Sequence, residues 1–397
     1  MNQKTNNRYT NLLIAVAAIV VIILGGFLIF QHHNNAKLAA QEKFNKTHFN
    51  QNVTIYDVNV GKLTKNKAYI KVNKNAKNRA TLEKDKISFS KTDKEIISKK
   101  EIQKYFDEQH TKYDSNKKYN FENKDLITAE NKLNAIKNRS VTYHIDGKSY
   151  VFKRDKLLPK VSYYEGQYHF ENVEPLKAKI ESINKEVTTF HKSYPFKLPD
   201  GKTITVKNES YGWAINTKHL IPAVEKAIID GKSEVQGKNY IYGLGFSTYG
   251  TGYGMSNHGI GDTYIVVSLK QQKAWFYKNG KRVLVLDDVV TGTAAKNPRT
   301  QTSDATPTGV WYIEYKQSPS VLRGSNDDGS SYASPVKYWM PFTISGCGFH
   351  DASWRTDWSK TAYLKGGSHG CVNVKPSEIK KVWDVVEEME PVIIYDK

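Results

Sequence analysis

The chain is short of cysteine, with two in 397 residues, Cys347 and Cys371. Two thiols cannot staple a chain of this length, so it is not a disulfide scaffold, and stability must come from packed cores. Acidic side chains are also scarce: 40 Asp and Glu stand against 59 Lys and Arg, a formal net charge of +19. The imbalance is local. Residues 262–397 carry 17 basic and 15 acidic residues, net +2, which leaves +17 for residues 1–261. Such asymmetry suggests an anionic partner, with a merely solubilising lysine-rich face as the competing reading. Zinc-finger spacings and RNP-type motifs are missing, so nucleic acid is not the expected partner. His350, His369 and Cys371 are metal-ligand types, but no fourth ligand accompanies them, so neither a metal nor a cofactor is expected.

What the chain does have is one long apolar run, Leu12–Phe30, 19 residues without a charge. At about 1.5 Å per helical residue it covers the hydrocarbon core of a bilayer. Lys4 and Arg8 precede it, which keeps the short N-terminus in the cytoplasm and exports the rest. A cleaved signal peptide usually has a shorter apolar region followed at once by small residues. Here Gly25 and Gly26 lie inside the run and Gln31-His32-His33 follows it, which favours an uncleaved anchor. The expectation is a single-pass membrane protein, with residues 1–10 cytoplasmic, 11–30 transmembrane and 31–50 a linker. The rest lies on the cell-wall side, where teichoic acids and membrane phosphates are the anions at hand.

Two α+β modules follow, over residues 51–140 and 141–245. In the first, Ile55–Val60 alternates like a strand, Gly61 turns, and Thr64 is placed to cap a helix. The second opens on a hairpin, 141–152, around Asp146-Gly147. A turn at Asp200-Gly201 comes next, then a helix with Leu220, Val224, Ala227 and Ile228 on one face and Gly231 at its end. Its aromatics (Tyr211, Trp213, Tyr240, Tyr242) suit core packing or stacking on sugars. The Gly- and Tyr-rich segment 246–261 reads as a linker. Beyond it the chain is mostly β: strands at 264–269, 274–277 and 283–286, a hairpin at Asn279-Gly280, and a strand entered through Thr306–Gly309. A long polar loop, 317–334, follows, then an amphipathic helix over 377–389 and a closing strand, 391–395.

The chemistry concentrates in two short segments. One reads His350-Asp351-Ala352-Ser353-Trp354; the other reads Ser368-His369-Gly370-Cys371-Val372-Asn373. A cysteine thiol titrates at about 8.5, and a neighbouring imidazole converts it into a populated thiolate facing an imidazolium. Glycine before the cysteine allows a tight turn whose successive N–H groups aim at a developing oxyanion.

These two segments, in this order and with these flanking glycines, resemble the active-site signature of the L,D-transpeptidase (YkuD-type) catalytic domain over residues 262–397. The entry to the first module, and the second module more fully, resemble the peptidoglycan-binding domains that accompany it. The resemblance implies a β-sandwich-like catalytic domain with a short helix, mostly β, preceded by α+β modules and a transmembrane helix. It implies Cys371 as nucleophile, His350 as proton donor and acceptor oriented by the Asp351 carbonyl, and Ser368 and His369 shaping the site. Oxyanion donors come from the amides around His369, Gly370 and Cys371. Trp354, Tyr338, Trp339 and Asn373, in or near these segments, are the expected substrate contacts. Asn373 departs from the arginine many members carry two residues after the cysteine. The implied reaction joins peptidoglycan stem peptides by 3→3 cross-links through a cysteine thioester. An L,D-carboxypeptidase and a catalytically idle wall-binding protein are the alternatives. Sortases need an arginine after the cysteine, and none occurs between Cys371 and Lys397; NlpC-type peptidases place cysteine before histidine. Cys347 reads as a small buried strand residue, with a regulatory disulfide to Cys371 as the minor alternative.

Overall fold

A computed structural model describes residues 4–109, 117–296, 303–326 and 329–396. The chain forms two compact units, Met1–Lys137 with Pro159–Glu171, and Asn138–Leu158 with Asn172–Lys397.

The first unit begins with a helix, Lys4–Asn45, that is long and apolar enough to cross a membrane. The helix runs through most of the expected linker, because residues 36–44 are largely Ala, Leu, Lys, Gln and Glu, good helix formers. The single strand expected at 55–60 is instead a hairpin of Val53–Ile55 and Val58–Asn59. Tyr56 and Asp57 both take positive φ (50° and 62°) and turn the chain. Helix Lys65–Asn75 starts at Thr64, whose side chain accepts the Lys67 N–H. Phe49, Val53, Ile55, Ala68, Val72 and Ile102 close the core beneath it. A second sheet orders its strands Lys86–Ser90, Arg79–Glu83, Lys160–Tyr164 and Gln167–Phe170. The last hairpin therefore folds back onto the first unit from beyond residue 140, across the expected module boundary. There Glu171 accepts hydrogen bonds from Ser162, Arg79 and Lys160.

The second unit opens with hairpin Ser140–Ile145/Lys148–Lys153, turned at Asp146-Gly147 (φ 50° and 71°). Glu234–Gln236 pairs parallel to its first strand. Helices Glu174–Val187 and Thr217–Asp230 pack with it, and Gly231 (φ 73°) ends the second. Arg139 Nη1 donates to the last free carbonyls of that helix, Ile228 and Ile229, at 2.7 Å each.

The remainder is built from ten strands: β1 Tyr264–Ser268, β2 Lys273–Lys278, β3 Lys281–Leu286, β4 Gly309–Tyr312, β5 Ser320–Ser325, β6 Ser331–Val336, β7 Trp339–Pro341, β8 Gly348–Asp351, β9 Val372–Val374 and β10 Pro391–Tyr395. A five-stranded sheet has the order β3-β2-β1-β10-β4, with β1 and β10 parallel. One face of it (Ile265, Val267, Phe276, Val392, Ile394) packs on Phe349, Val372, Val374 and helix Ile379–Val385. The other (Val266, Trp275, Val310, Ile393) packs on Tyr194, Phe196, Ile204 and Val206. Burial on both faces explains the unbroken apolar runs of β1 and β10. It also means that hairpin Ser193–Lys197/Thr203–Lys207, expected in the second module, closes the catalytic core.

Three further sequence expectations need correction. Segment 246–261 is not a free linker: the Ser247 N–H donates to the Tyr312 hydroxyl (3.0 Å) and the Tyr211 hydroxyl to the Gly259 carbonyl (2.6 Å). Polar loop 317–334 is a two-stranded hairpin, β5–β6, whose Ser- and Gly-rich strands lack the apolar alternation that announces a strand; residues 327 and 328 lie outside the described residues. The helix expected over 377–389 spans only Ile379–Val385, because Lys316 Nζ binds the Trp383 and Val386 carbonyls (2.7 and 2.6 Å) and closes its end.

Candidate active site

Strands β7, β8 and β9 form a small sheet, and its register decides the site. His350 on β8 and Asn373 on β9 are direct partners across a parallel ladder. His350 is buried, with Nδ1 2.9 Å from the Asp351 carbonyl, the acceptor expected from the sequence. A carbonyl can only accept, so Nδ1 carries the proton and Nε2 keeps its lone pair. The Asn373 amide, oriented by its hydrogen-bond partners, donates to His350 Nε2 (3.1 Å) and accepts from Arg355 Nη2 and Nε (3.1 and 3.0 Å). The Asp351 carboxylate faces elsewhere, accepting the Lys337 and Tyr338 N–H groups (2.8 and 3.1 Å) and so fixing the entry to β7.

One pocket gathers His350, Trp354, Ser368, His369, Cys371 and Asn373 with Tyr332 and Arg355. The Trp354 ring stacks on the His350 ring at 5.8 Å and is half exposed on the pocket wall. Tyr332, on β6, stacks on His369 at 5.4 Å. Tyr338 and Trp339 do not line the pocket, contrary to expectation. Tyr338 packs on Trp383, and Trp339 is buried behind His350 with its indole N–H on the Tyr315 hydroxyl (3.3 Å). Their aromatic rings serve packing.

The Ser368–Cys371 turn closes on itself. Ser368 Oγ donates to the Cys371 carbonyl (2.6 Å) and accepts the Gly370 N–H (3.2 Å). The Gly370 amide is therefore engaged within the turn, unlike the free oxyanion donor expected of it. Gly370 itself is required: its φ is +109°, and a Cβ there would stand 2.6 Å from Cys347 Sγ. Cys347 thus lies directly under the nucleophile turn, just before β8, and both thiols are free.

Burial works against the expected thiolate–imidazolium pair. Burial pushes the Cys371 thiol up to about 12, helped by nearby Cys347 and opposed by the Gly348 N–H. Burial also lowers His350 and Arg355 adds to that, against the pull of the Asp351 carbonyl and carboxylate. Both shifts favour a neutral thiol beside a neutral imidazole. The thiol points at the Gly346 carbonyl (3.7 Å).

Sequence reasoning missed Arg355 and Tyr332. Arg355 immediately follows the His350–Trp354 segment and was the available signal, whereas Tyr332 sits in a stretch whose pattern gave no strand.

Residues 262–394 match the family model of the L,D-transpeptidase catalytic domain, and residues 119–236 match that of the "Putative peptidoglycan binding domain". No curated protein sequence matches the chain. Among solved structures, the Ldtfm–avibactam carbamoyl enzyme is similar at 30% identity, covering 68% of this chain and 99% of that one, with a TM-score of 0.50. A cysteine-to-serine mutant of Enterococcus faecium L,D-transpeptidase is similar at 30% identity over 67% of this chain and 99% of that one, TM-score 0.49. The E. faecium catalytic domain acylated by ertapenem shares 42% identity over 34% of this chain and 97% of that one, TM-score 0.29. With 30% identity over nearly the whole of a solved L,D-transpeptidase, this chain belongs to the L,D-transpeptidase family, with a YkuD-type catalytic domain behind a peptidoglycan-binding domain.

Proposed function

We propose that this protein cross-links peptidoglycan stem peptides 3→3 through a thioester on Cys371. The thiol turns from the Gly346 carbonyl toward His350 and attacks the carbonyl of the diamino residue at stem position three. His350 Nε2 takes the thiol proton and passes it to the departing amine of residue four. The amine of a second stem then attacks the thioester; its proton goes to Nε2 and returns to the sulfur as the new peptide bond forms. The amides of His369 and Cys371 face the developing oxyanion, while Ser368 keeps their turn closed. Trp354 and Asn373 hold the donor and the imidazole.

The observation that carries this reading is the Nδ1 contact of His350 with the Asp351 carbonyl, which leaves the lone pair on Nε2; at rest the Asn373 amide donates to it, and the thiol of Cys371, in the same pocket, displaces that donor when it delivers its proton. A neutral base suits a neutral thiol: the proton moves as the sulfur attacks, and no charged pair has to be stored in a dry site.

The helix Lys4–Asn45 anchors the chain in the cell membrane, with the catalytic domain outside on the wall side. The basic N-terminal half, net +17 before residue 262, holds the enzyme near wall anions such as teichoic acids. Muropeptide analysis tests the reading. Cells lacking the protein should lose 3→3 dimers that the wild-type chain restores and Cys371→Ala does not. Tripeptide stems without dimers would mean that water, rather than an amine, resolves the thioester.

A further inference from the structure

The pocket beside Cys371 is lined by one permanent cation, Arg355, and by no acid among the described residues. The guanidinium is held in place: Nη1 donates to the Gly366 carbonyl (2.8 Å), while Nε and Nη2 bind the Asn373 amide oxygen (3.0 and 3.1 Å). All these partners are neutral. The acid whose charge reaches it is Asp357, an exposed carboxylate turned to the Ser359 N–H (2.9 Å). A half-buried guanidinium whose direct hydrogen-bond acceptors are all neutral keeps N–H groups that suit a planar anion. The β5–β6 hairpin contributes Leu322, Asn326, Tyr332 and Ser334 to the lining, none of them charged.

We propose that Arg355 binds a carboxylate of the donor stem peptide and makes the enzyme selective for anionic donors. This rests on the transpeptidase reading above. Two carboxylates of such a donor lie near the scissile bond: the terminal one on residue four, and the side-chain one of a diamino residue three that bears it. The cation is pre-organised, since Asn373 and Gly366 fix it before the ligand arrives. It follows the His350 strand after one short turn, closed by the Arg355 N–H on the Ala352 carbonyl (3.2 Å), so recognition and proton transfer lie close together in the chain.

The test uses the full-length protein and three synthetic tetrapeptide donors: the free acid, its terminal carboxamide, and the amide of the side-chain carboxyl. Acylation of Cys371 is followed by intact mass. The wild-type enzyme should prefer the free acid over one of the two amides by about 10- to 100-fold in kcat/KM, chiefly through KM, the scale of a charge-assisted hydrogen bond. Whichever amide is disfavoured identifies the carboxylate. Arg355→Met should bring that ratio to about 1, and Arg355→Lys should restore part of it. Any loss common to all donors, through a disturbed Asn373, cancels in the ratio. Equal acylation of the three donors by wild type overturns the proposal, whether or not the variants fold. So does an Arg355→Met enzyme that slows every donor by one factor. If no donor acylates Cys371, it is the transpeptidase reading that fails.

Discussion

His350 and Asn373 face each other across β8 and β9, with the Asn373 amide nitrogen 3.1 Å from His350 Nε2. Because that amide donates, the base is held neutral in its resting state. Asn373→Asp would replace the donor by a carboxylate, which accepts and stabilises the imidazolium. The acid limb of kcat/KM should then move up by about 1 pH unit, the usual effect of an adjacent opposite charge. An unmoved limb would mean that Asn373 does not touch the base.

The wild-type pH profile follows from the two shifts. His350 is lowered from 6.5, so its neutral form survives to lower pH than usual, and the acid limb should lie below 6.5. The Cys371 thiol is raised to about 12, so iodoacetamide labelling should still be climbing above pH 9. A labelling midpoint near that of a free thiol, about 8.5, would show an exposed, unperturbed cysteine.

Gly370 and Cys347 form a steric pair. Gly370→Ala places a methyl 2.6 Å from Cys347 Sγ on a backbone of φ +109°, so donor acylation should fall by at least about 10-fold. Cys347→Ser alone should keep most activity. Adding Cys347→Ala to Gly370→Ala should recover only part of the loss, because space returns and the φ penalty stays. Donor acylation rates of the variants decide it; full recovery would mean that φ imposes no cost.

In the first unit, burial would raise Glu171, but hydrogen bonds from Ser162, Lys160 and Arg79 outweigh it and hold the carboxyl at about 2. A depressed carboxylate stabilises the fold above its unfolded value, about 4.3, and loses that contribution as pH falls through the folded value. Glu171→Gln should therefore cost on the order of 2 kcal/mol at pH 7. Thermal melts at pH 7 and near pH 2 measure it, and the gap should close at the acid end. An equal gap at both would assign the loss to packing.

The parts legible in the sequence were those where local chemistry decides alone. Asp146-Gly147 and Asn279-Gly280 turn where their φ values demand, Thr64 caps its helix, Gly231 ends another, and the two signature segments converge on one pocket. What was missed depends on distant partners. Hairpin 160–170 joins a sheet with Arg79–Glu83, and hairpin 193–207 covers the catalytic sheet; neither pairing leaves a trace in local spacing. The burial that shifts Cys371 and His350 toward their neutral forms was invisible for the same reason, since it arises from the whole fold. Tyr338 and Trp339 looked like substrate contacts because aromatics near a site invite that reading, yet their rings fill the layer behind it.

The most direct test of the central claim is mass spectrometry of the full-length protein mixed with a stem tetrapeptide donor, quenched in acid and mapped, with the products sequenced. The account predicts a donor lacking residue four attached to Cys371, and peptide dimers joined between two third residues. Cys371→Ala should give neither, while Cys347→Ser gives both. An adduct on Cys347, dimers formed by Cys371→Ala, or a native disulfide between the two cysteines in active enzyme would contradict it.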